Sequence, residues 1–308
     1  MILLCGIPSE PPIAMVAKAL EERGARYVFF NQRQFANAAI SFEILNGSPT
    51  GSLQIDGVSY RLEDIVGVYT RLMDYRRLPE LDGAPEGSDL YRYCAALNDV
   101  LARWSEICAA RVVNRMAPMG SNSSKPYQAQ LIRRYGFYVP ATLITNSPEA
   151  VLAFRERHKR IIYKSISGVR SIVQTFEDAD IARFPALRWC PTQFQQYVEG
   201  YDVRVHLVGE KVFATKINST ATDYRYARTQ AGEAAELTAM EIPDNVAQGC
   251  INLAAGLGLA FAGIDLKFAP EGEVYCFEVN PSPGYSYFEA NSGQPIAQAV
   301  ADYLIGAA

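Results

Sequence analysis

Oxygen-bearing side chains near the end of the chain have the spacing of a metal site on a β-hairpin. Two runs of alternating apolar residues, 263–268 and 274–280, flank the turn Ala-Pro-Glu-Gly, and this pattern is typical of a hairpin. In the second run Glu278 and Asn280 are two residues apart, so both are expected on one face, together with Val274 and Cys276.

The pairing register decides whether Asp265 joins these ligands. If the four turn residues are unpaired, Phe268 lies opposite Glu273 and Asp265 lies opposite Cys276, which brings Asp265 onto the face of Glu278. Three hard oxygen ligands suit Mg²⁺ shared with nucleotide phosphates, because Mg²⁺ keeps its waters and takes one or two protein carboxylates. A slip of one residue would move Asp265 to the opposite face. The alternative is a solvent-facing polar stripe on an amphipathic hairpin.

Other charged residues have spacings that suit anionic ligands. Lys164 precedes a glycine-containing connection at 166–170 and can reach a phosphate, the alternative being an exposed edge-strand lysine. Asp202, Arg204 and His206 alternate along one strand, so they share a face that should point away from the apolar core. Arg71 ends a buried strand, where it would either bind a substrate carboxylate or form a surface ion pair.

The elements that must position these residues begin with a strand, a helix and a strand at 1–5, 11–23 and 27–30. This order predicts a parallel, Rossmann-like sheet. The first loop has one glycine where a dinucleotide fingerprint needs three, so a dinucleotide site is not expected. The same domain, 1–115, is completed by a polar hairpin at 42–60, a strand at 65–71, a long helix at 88–110 and a strand at 112–114.

The segment 116–124 is rich in Pro, Gly and Ser, which predicts a linker and the main domain boundary. Behind it we expect two α+β units, a small one at 116–190 and a C-terminal one at 191–308 that carries the hairpin. A final helix is predicted at 295–304.

Composition excludes several classes of function. The chain has 308 residues, 49% of them hydrophobic, and a formal net charge of −4, and its Lys/Arg runs do not exceed two residues, so no nucleic-acid partner is expected. Six scattered cysteines without a C-x-x-C pair predict buried free thiols in a reducing cytosol, and two histidines make a zinc site improbable. We expect neither a signal peptide nor a membrane span, and therefore a soluble, cytoplasmic protein.

In this chain order, the two lysines, the strand pair around 195–204 and the acidic hairpin resemble the ATP-grasp ligases over about residues 114–304. The motifs that carry the resemblance are Gly-Phe-Tyr-Val-Pro-Ala-Thr at 136–142, Gly-Tyr-Asp-Val-Arg-Val at 200–205 and Glu-Val-Asn-Pro-Ser-Pro-Gly at 278–284. They are most similar to the branch of ribosomal-protein glutamate ligases, lysine-biosynthesis ligases and peptide-maturing ligases. The resemblance implies an ATP-grasp fold, two α+β subdomains that sandwich ATP, preceded by a Rossmann-like domain.

The resemblance also implies a role for each matching position. The residues that would bind ATP are Lys125 and Lys164 at the phosphates, the main chain of Gln195, Gln196, Tyr197 and Val198 at adenine, and Asp202 at the ribose. Asp265, Glu278 and Asn280 would hold two Mg²⁺ ions, with Mn²⁺ as a substitute. Arg204 and Arg225 would face the transferred phosphate or the acyl group. Two features depart from the family: the phosphate-covering loop at 167–170 is short, and Gln196 stands where an acidic residue is common.

The implied activity is an ADP-forming carboxylate-amine ligase that works through an acylphosphate and forms an amide or peptide bond. The acceptor would be a small amino acid, a peptide or a protein, and a homo-oligomer is left open. The segment after Asn280 is closer to the amino-acid-adding branch than to the cyclising one. The alternatives are a non-catalytic ATP-binding regulatory protein, a peptide-maturing enzyme that modifies a ribosomal precursor, and a kinase that phosphorylates without ligation.

Overall fold

The computed structural model describes residues 1–166, 173–219, 232 and 235–307. The regular elements of the first domain, in chain order, are β1 Ile2–Gly6, α1 Pro11–Glu22, β2 Tyr27–Asn31, β3 Ala38–Leu45, β4 Ser48–Ile55, β5 Val58–Arg61, β6 Gly67–Thr70, α2 Asp89–Ile107 and β7 Arg111–Val113. Four of these strands form a sheet in the order β2-β1-β6-β7, and each neighbouring pair of strands is parallel. The predicted parallel sheet is therefore confirmed.

Strand β1 is buried along its whole length because helices cover both faces of this sheet. Leu3 and Cys5 face the cluster that contains Leu97, Leu101 and Trp104 of α2. Ile2 and Leu4 alternate to the other face, which α1 covers with Ile13, Val16 and Leu20. Helix α2 begins at an N-cap, Ser88, whose side chain accepts from the N–H of Tyr91 at 3.3 Å.

The polar hairpin predicted at 42–60 is part of a longer three-stranded antiparallel sheet, β3-β4-β5. Asn46 and Gly47 form the first turn with positive φ at both residues, and Asp56 and Gly57 form the second turn in the same way. Two-residue turns of this kind match the twist of paired strands.

The segment 116–124, for which the sequence predicts a linker at the main domain boundary, is helical. This segment folds into a short helix, α3 Met116–Met119, followed by the 3-10 turn Gly120–Ser123. Pro118 is accommodated because the first turn of a helix leaves its N–H groups unbonded in any case. The chain thus enters the next unit through helical turns.

The small α+β unit contains α4 Lys125–Arg133, β8 Thr142–Thr145, α5 Pro148–His158, β9 Ile161–Ser165, β10 Gln174–Thr175, α6 Phe184–Leu187 and β11 Thr192–Gln196. Its sheet has the order β10-β9-β11-β8, with antiparallel neighbours throughout. One face packs on α5 through a cluster that includes Val151, Phe154 and Phe194. The other face is left for the cavity described below.

The C-terminal unit is a five-stranded antiparallel sheet in the order β14-β13-β12-β15-β16. Its elements are β12 Tyr201–Val208, β13 Lys211–Asn218, β14 Glu236–Met240, α7 Asp244–Gly256, β15 Phe261–Phe268, β16 Val274–Asn280, α8 Ser286–Ser292 and α9 Ile296–Ile305. Helix α7 packs on one face through Val246, Cys250 and Leu253. Helix α9 packs on the first-domain sheet, where Val300 and Leu304 join Ile2 and Leu4.

The register of the β15–β16 hairpin differs from the predicted one. Phe268 pairs with Val274 rather than with Glu273, and Leu266 rather than Asp265 pairs with Cys276. A β-bulge then adds one residue to β16, which brings Asp265 opposite Glu278.

The bulge also separates side chains that were expected to share a face. Cys276 and Val279 are buried in the core under α7, and Val274 packs against the same core. Glu278 and Asn280 are partly exposed on the other face. The prediction that Val274 and Cys276 lie beside Glu278 and Asn280 is therefore wrong, because the extra residue breaks the period of two.

All six cysteines are free thiols, and five of them are buried, which agrees with the prediction except at Cys190, which is exposed. In the described part of the chain, no helix combines the length and the apolar character that a membrane crossing requires.

Candidate active site

Asp265 and Glu278 are direct cross-strand partners, and each carboxylate forms an ion pair with a cation from another element. Arg204 is the partner of Asp265 on β12, and its Nη1 donates to Oδ1 of Asp265 at 2.6 Å. Lys125, the first residue of α4, donates from Nζ to Oε1 of Glu278. The fold therefore brings together four of the charged residues singled out in the sequence.

The electrostatics of this cluster keep Glu278 ionised. Burial by itself would raise the pKa of Glu278, but the charge and the hydrogen bond of Lys125 outweigh it, and Arg204 and Lys164 act in the same direction, so the pKa is lowered. The neighbouring Cys276 differs, because burial raises the pKa of its thiol well above the usual value. Cys276 is thus a protonated core residue and not a nucleophile.

Gln128 was not singled out in the sequence, and the structure gives it a clear positioning role. It lies three residues after Lys125 on α4, is almost fully buried, and its Nε2 donates to the carbonyl of Val279 at 2.8 Å. Its Oε1 accepts from the N–H of the same residue at 2.9 Å. The i, i+3 spacing of Lys125 and Gln128 on one helix face was the available signal. Lys125 therefore holds the carboxylate of Glu278, and Gln128 holds the main chain of the next residue.

Gly263 gives Arg204 the space to reach Asp265. A Cβ atom at Gly263 would lie 2.1 Å from Nη2 of Arg204 and 2.8 Å from Cβ of Pro283. The Arg204 side chain is 7% exposed, so the guanidinium has little room to move away. A glycine is required here by close approach and not by an unusual φ.

The loop after Asn280 is tied to the C-terminal unit and to the first domain. Oδ1 of Asn280 accepts from the N–H of Ser282 at 2.9 Å. Arg71 donates from Nη1 to Oγ of Ser282 and to the carbonyl of Pro283, both at 3.2 Å. Of the two roles predicted for Arg71, the ion pair is the one observed, with Glu10 at 2.6 Å. It is not a surface pair, because the Arg71 side chain is only 9% exposed.

Asn114 also holds this open end of the hairpin, opposite its turn. Its Nδ2 donates to the carbonyls of Phe261 and Pro281, both at 2.6 Å, and its Oδ1 accepts from the N–H of Ala260 at 2.8 Å and from that of Phe261 at 3.1 Å. Asn114 is buried, so these bonds form away from water. One side chain therefore links the start of β15 to the residue that follows β16.

A cavity of about 500 Å³ lies between the small unit and the hairpin. We call it the lysine cavity, because Lys125 and Lys164 both line it, together with Gln193, Gln195 and Phe277. Lys164 on β9 is the cross-strand partner of Gln193 on β11, so their side chains share a face. The volume is in the range of small-molecule sites.

Two glutamines supply neutral polar groups to the lysine cavity. Gln193 and Gln195 are 2% and 7% exposed, and neither Oε1 atom has a hydrogen-bond partner among the residues described. Nε2 of Gln195 donates to Oγ1 of Thr142 at 3.1 Å. Buried acceptors without partners are costly, so this cavity suits a ligand with N–H donors. Gln193 was missed in the sequence because one glutamine in a strand carries no distinctive signal.

The residues predicted as the adenine-binding hinge are the last two of β11, Gln195 and Gln196, and the next two, Tyr197 and Val198. The N–H of Gln196 donates to the carbonyl of Ala141 at 2.9 Å. The side-chain Oε1 of Gln196 accepts from the N–H of Ala141 at 3.4 Å. The N–H of Tyr197 donates to the carbonyl of Arg160 at 3.0 Å. Val198 is buried, and its N–H has no acceptor among the residues described. Of these three N–H groups, that of Val198 is the one left for a ligand.

Asp202 lies just beyond the hinge and forms an ion pair with Lys267 at 3.3 Å. Gly200, which lies between the hinge and Asp202, has a φ of +127°, and a Cβ atom at this residue would lie 2.1 Å from the carbonyl oxygen of Phe268. Only glycine fits both the backbone and the space.

His206 does not belong to the site, although it alternates with Asp202 and Arg204. It is fully buried, its ring lies 4.9 Å from that of Phe288 in an edge-on contact, and neither ring nitrogen has a partner among the described residues. The expectation that this strand face points away from an apolar environment is therefore wrong at His206, because helix α8 covers it. The predicted Arg225 and the loop at 167–170 lie outside the residues that the structure describes.

The donor set fits Mg²⁺ that is shared with a nucleotide. Asp265 and Glu278 present two carboxylates from adjacent strands, and Asn280 adds an amide oxygen at the end of β16. Within the described residues, no group of three or more His, Cys, Asp and Glu side chains could hold a metal on its own. Two carboxylates completed by phosphate oxygens and water are a usual arrangement for Mg²⁺.

In sequence and in structure this chain is similar to known ATP-grasp proteins. Residues 123–304 match the RimK-like ATP-grasp domain. A probable alpha-L-glutamate ligase of Photobacterium profundum is 26% identical over 230 residues, which cover 71% of this chain and 73% of the relative. The structure of the ATP-grasp ligase PsnB complexed with a phosphomimetic variant of minimal precursor, Mg and ADP is 27% identical, with a TM-score of 0.77 over 99% of this chain and 97% of that one. The RiPP-associated ATP-grasp ligase of Chryseobacterium gregarium, in complex with ADP and a leader and core peptide, shares the fold with a TM-score of 0.80 at 24% identity, over 100% of this chain and 97% of its own.

Proposed function

Because the chain belongs to the RimK-like ATP-grasp family and is an ATP-grasp ligase, we propose that it activates a carboxylate as an acylphosphate and transfers the acyl group to an amine. The products would be an amide, ADP and phosphate. The observation that carries this proposal is the pairing of Asp265 and Glu278 with Arg204 and Lys125 at the edge of the lysine cavity. Two acids for a metal and two cations for phosphates are the groups that phosphoryl transfer requires.

The lysine cavity is proposed to bind the nucleotide. Lys164 and Lys125 would contact the phosphates, and the free N–H of Val198 would donate to a ring nitrogen of adenine. The Oε1 atoms of Gln193 and Gln195 would accept from the amino group of the base. The main chain of Gln195, Gln196 and Tyr197 completes the hinge, and Asp202 would exchange Lys267 for ribose hydroxyls.

Asp265, Glu278 and Asn280 are proposed to hold two Mg²⁺ ions, with Mn²⁺ as a substitute. Bound metal would supply positive charge to the phosphoryl oxygens and so weaken the bond to the leaving ADP. The residues of the chain have to keep Glu278 ionised and in place. Lys125 and Arg204 do the first by lowering the pKa of Glu278, and Gln128 does the second through the main chain of Val279.

In the first step a carboxylate oxygen of the substrate attacks the γ-phosphorus, the bond from phosphorus to the ADP oxygen breaks, and an acylphosphate forms. Negative charge grows on the phosphoryl and ADP oxygens. Arg204 and Lys164 are the cations proposed to stabilise it. No protein nucleophile takes part, so positioning and charge supply the catalysis.

In the second step the amine attacks the carbonyl carbon, the bond from carbon to the phosphate oxygen breaks, and phosphate leaves as the amine loses a proton. The tetrahedral intermediate carries an oxyanion that needs a nearby cation. By resemblance to the family, Arg225 is the candidate for this role.

Two substrate classes have separate support. Sequence relatives named alpha-L-glutamate ligases, together with the Pro-Ser-Pro-Gly segment after Asn280, favour addition of an amino acid to a carboxylate. Modification of a peptide is the second candidate. It is favoured because the PsnB structure, which contains a precursor, matches 99% of this chain and thus includes the first domain.

The experiment is an ADP-release screen with amino acids, short peptides and amines, with the products identified by mass spectrometry. An amide product together with ADP is the expected result, and it should be lost in Asp265→Asn and Glu278→Gln while the variants remain folded. ADP with a phosphorylated product but no amide would indicate a kinase instead. ATP binding without ADP formation across the panel would indicate a regulatory protein and contradict the proposal.

A further inference from the structure

The first domain contains a second and larger cavity, with a volume of about 1370 Å³. We call it the first-domain cavity. It lies where β1 and β6 end, at Cys5 and Thr70, and it is bounded by α2 and by Met116 and Met119 of α3. The carboxyl ends of parallel strands are where such sheets bind ligands.

The first-domain cavity reaches the proposed reaction site. Ser282 lines it, and the N–H of Ser282 donates to the side chain of Asn280, a proposed metal ligand. Arg71 lines the cavity as well. Its guanidinium donates hydrogen bonds to Ser282 and Pro283, and it also donates to the carboxylate of Glu10. A chain lying in the cavity would therefore pass within a few residues of the activated carboxylate.

The charged side chains of this wall are already paired inside the protein. Arg71 pairs with Glu10 at 2.6 Å, and Arg103 pairs with Asp99 at 2.7 Å. Asp74 pairs with Arg76 at 2.8 Å and Arg92 with Asp89 at 3.8 Å, both among exposed side chains. Glu106 accepts from the main-chain N–H groups of Met116 and Ala117. Asn98 is satisfied by Gln32 at 3.0 Å. Free glutamate carries three charges, and to be bound there it would have to displace partners that these side chains already have.

The rest of the wall is mostly apolar, with Ser9, Thr70 and Ser105 among its polar residues, and it contains two alanines at helical spacing. Ala95 and Ala102 of α2 lie seven residues apart on the same helix face and both line the cavity, with Leu72 and Met73 among the apolar side chains around them. The volume exceeds the range of typical small-molecule sites, so it suits several residues of a chain.

We propose that the first-domain cavity binds uncharged, apolar side chains of a peptide substrate, adjacent to the residue whose carboxylate is activated. This inference rests on the proposed ligase function and extends it to the class of substrate. Apolar side chains would gain by leaving water, and the self-paired charges of the wall would not oppose them.

The methionines of the chain provide a direct probe of binding. Of the six methionines, Met73, Met116 and Met119 line the cavity, whereas Met15 and Met240 do not. The full-length protein would be labelled with ¹³C at the methionine methyl groups and kept in the presence of Mg-ADP. Three compounds would be added in separate titrations: acetyl-Leu-Phe-Leu-Glu, acetyl-Ser-Gly-Ser-Glu and free L-glutamate. We expect the three cavity signals to shift with the apolar peptide, at a dissociation constant about tenfold or more below that of the polar peptide.

A variant that fills the cavity tests the location. Ala102→Phe should weaken binding of the apolar peptide about tenfold, with Ala95→Phe as a second, independent variant. Ala109→Phe, at an exposed alanine outside the cavity, is the matched control and should leave binding unchanged. Mg-ADP affinity should be the same in all of these proteins, which shows that each one is folded.

Equal affinity for the two peptides, shifts confined to Met15 or Met240, or no effect of either filling variant would overturn the inference. Failure of the ligase proposal gives a different result. In that case the unchanged protein binds the apolar peptide in the cavity but releases no ADP with any carboxylate and amine. If ADP release were instead equally efficient with free glutamate and with the peptides, the ligase would stand and the cavity inference would fail.

Discussion

The carboxamide of Gln128 forms two hydrogen bonds with the main chain of Val279, one to its carbonyl at 2.8 Å and one from its N–H at 2.9 Å. Val279 lies between Glu278 and Asn280, both of which face the opposite way. A helix from one unit thus fixes the strand that carries the proposed metal ligands of another. The contact is buried and leaves neither partner unsatisfied.

Gln128→Leu should lower both stability and activity. It leaves the N–H and carbonyl of Val279 buried without partners, which costs about 2–4 kcal/mol of unfolding free energy. Displacement of Glu278 should lower the rate of ADP release about 100-fold. Urea denaturation and the ADP assay measure the two effects. Gln248→Leu, at an exposed glutamine on α7, is the control and should change stability by less than about 0.5 kcal/mol. A fully active Gln128→Leu would contradict the positioning role.

Gly263→Ala should affect catalysis by displacing Arg204. The added Cβ would overlap the guanidinium and so break its contact with Asp265. We expect ADP release to fall about 100- to 1000-fold, as for the loss of one group that stabilises transition-state charge. Gly87→Ala is the matched control, since the nearest atom to its Cβ would be 3.8 Å away. If Gly263→Ala retained the activity of the control, Arg204 would have no role in transfer.

Gln193→Leu tests the polar edge of the lysine cavity. It removes a buried acceptor that is proposed to bind the base, so ADP affinity should fall about tenfold, the equivalent of one hydrogen bond. Calorimetric titration of ADP measures the change, and the same titration with GDP shows whether selectivity falls as well. Gln54→Leu, at an exposed position of β4, should bind ADP like the unchanged protein. Unaltered ADP affinity in Gln193→Leu would remove this residue from the nucleotide site.

His206 should make the protein less stable in mild acid. Burial, and secondly the charge of Arg204, hold the pKa of His206 well below its usual value of 6.5. Below about pH 6.5 the unfolded chain therefore binds a proton that the folded chain does not. Stability should fall with decreasing pH by up to about 1.4 kcal/mol per unit from this group, until the folded-state pKa is reached.

The measurement is the unfolding free energy between pH 5 and 7. His206→Leu should show a shallower dependence than the unchanged protein, because the titrating group is gone. His158→Leu replaces the only other histidine of the sequence and is the comparison variant. Equal slopes in the unchanged protein and His206→Leu would show that His206 is protonated equally in both states.

Much of the fold could be predicted because it follows local patterns. The strand-helix-strand opening, the long helix from Asp89 and the hairpin around 269–272 have the predicted types, with ends that move by a few residues. The β-bulge in β16 could not be predicted, because alternation predicts a period of two and gives no sign of an extra residue. The helical turns at 116–124 were missed for a similar reason, since Pro and Gly are also frequent in loops.

The sequence by itself determined the chemical types of the proposed site: two lysines, a glutamine-rich hinge and a hairpin with three oxygen ligands. These are local signals, carried by residue type and spacing along the chain. Tertiary structure alone decided which cation pairs with which acid, that Gln128 supports Val279, and that His206 is excluded from the site by α8. It also created the first-domain cavity from strand ends and a helix face far apart in sequence. Such contacts depend on long-range packing, which periodicity within a single element does not encode.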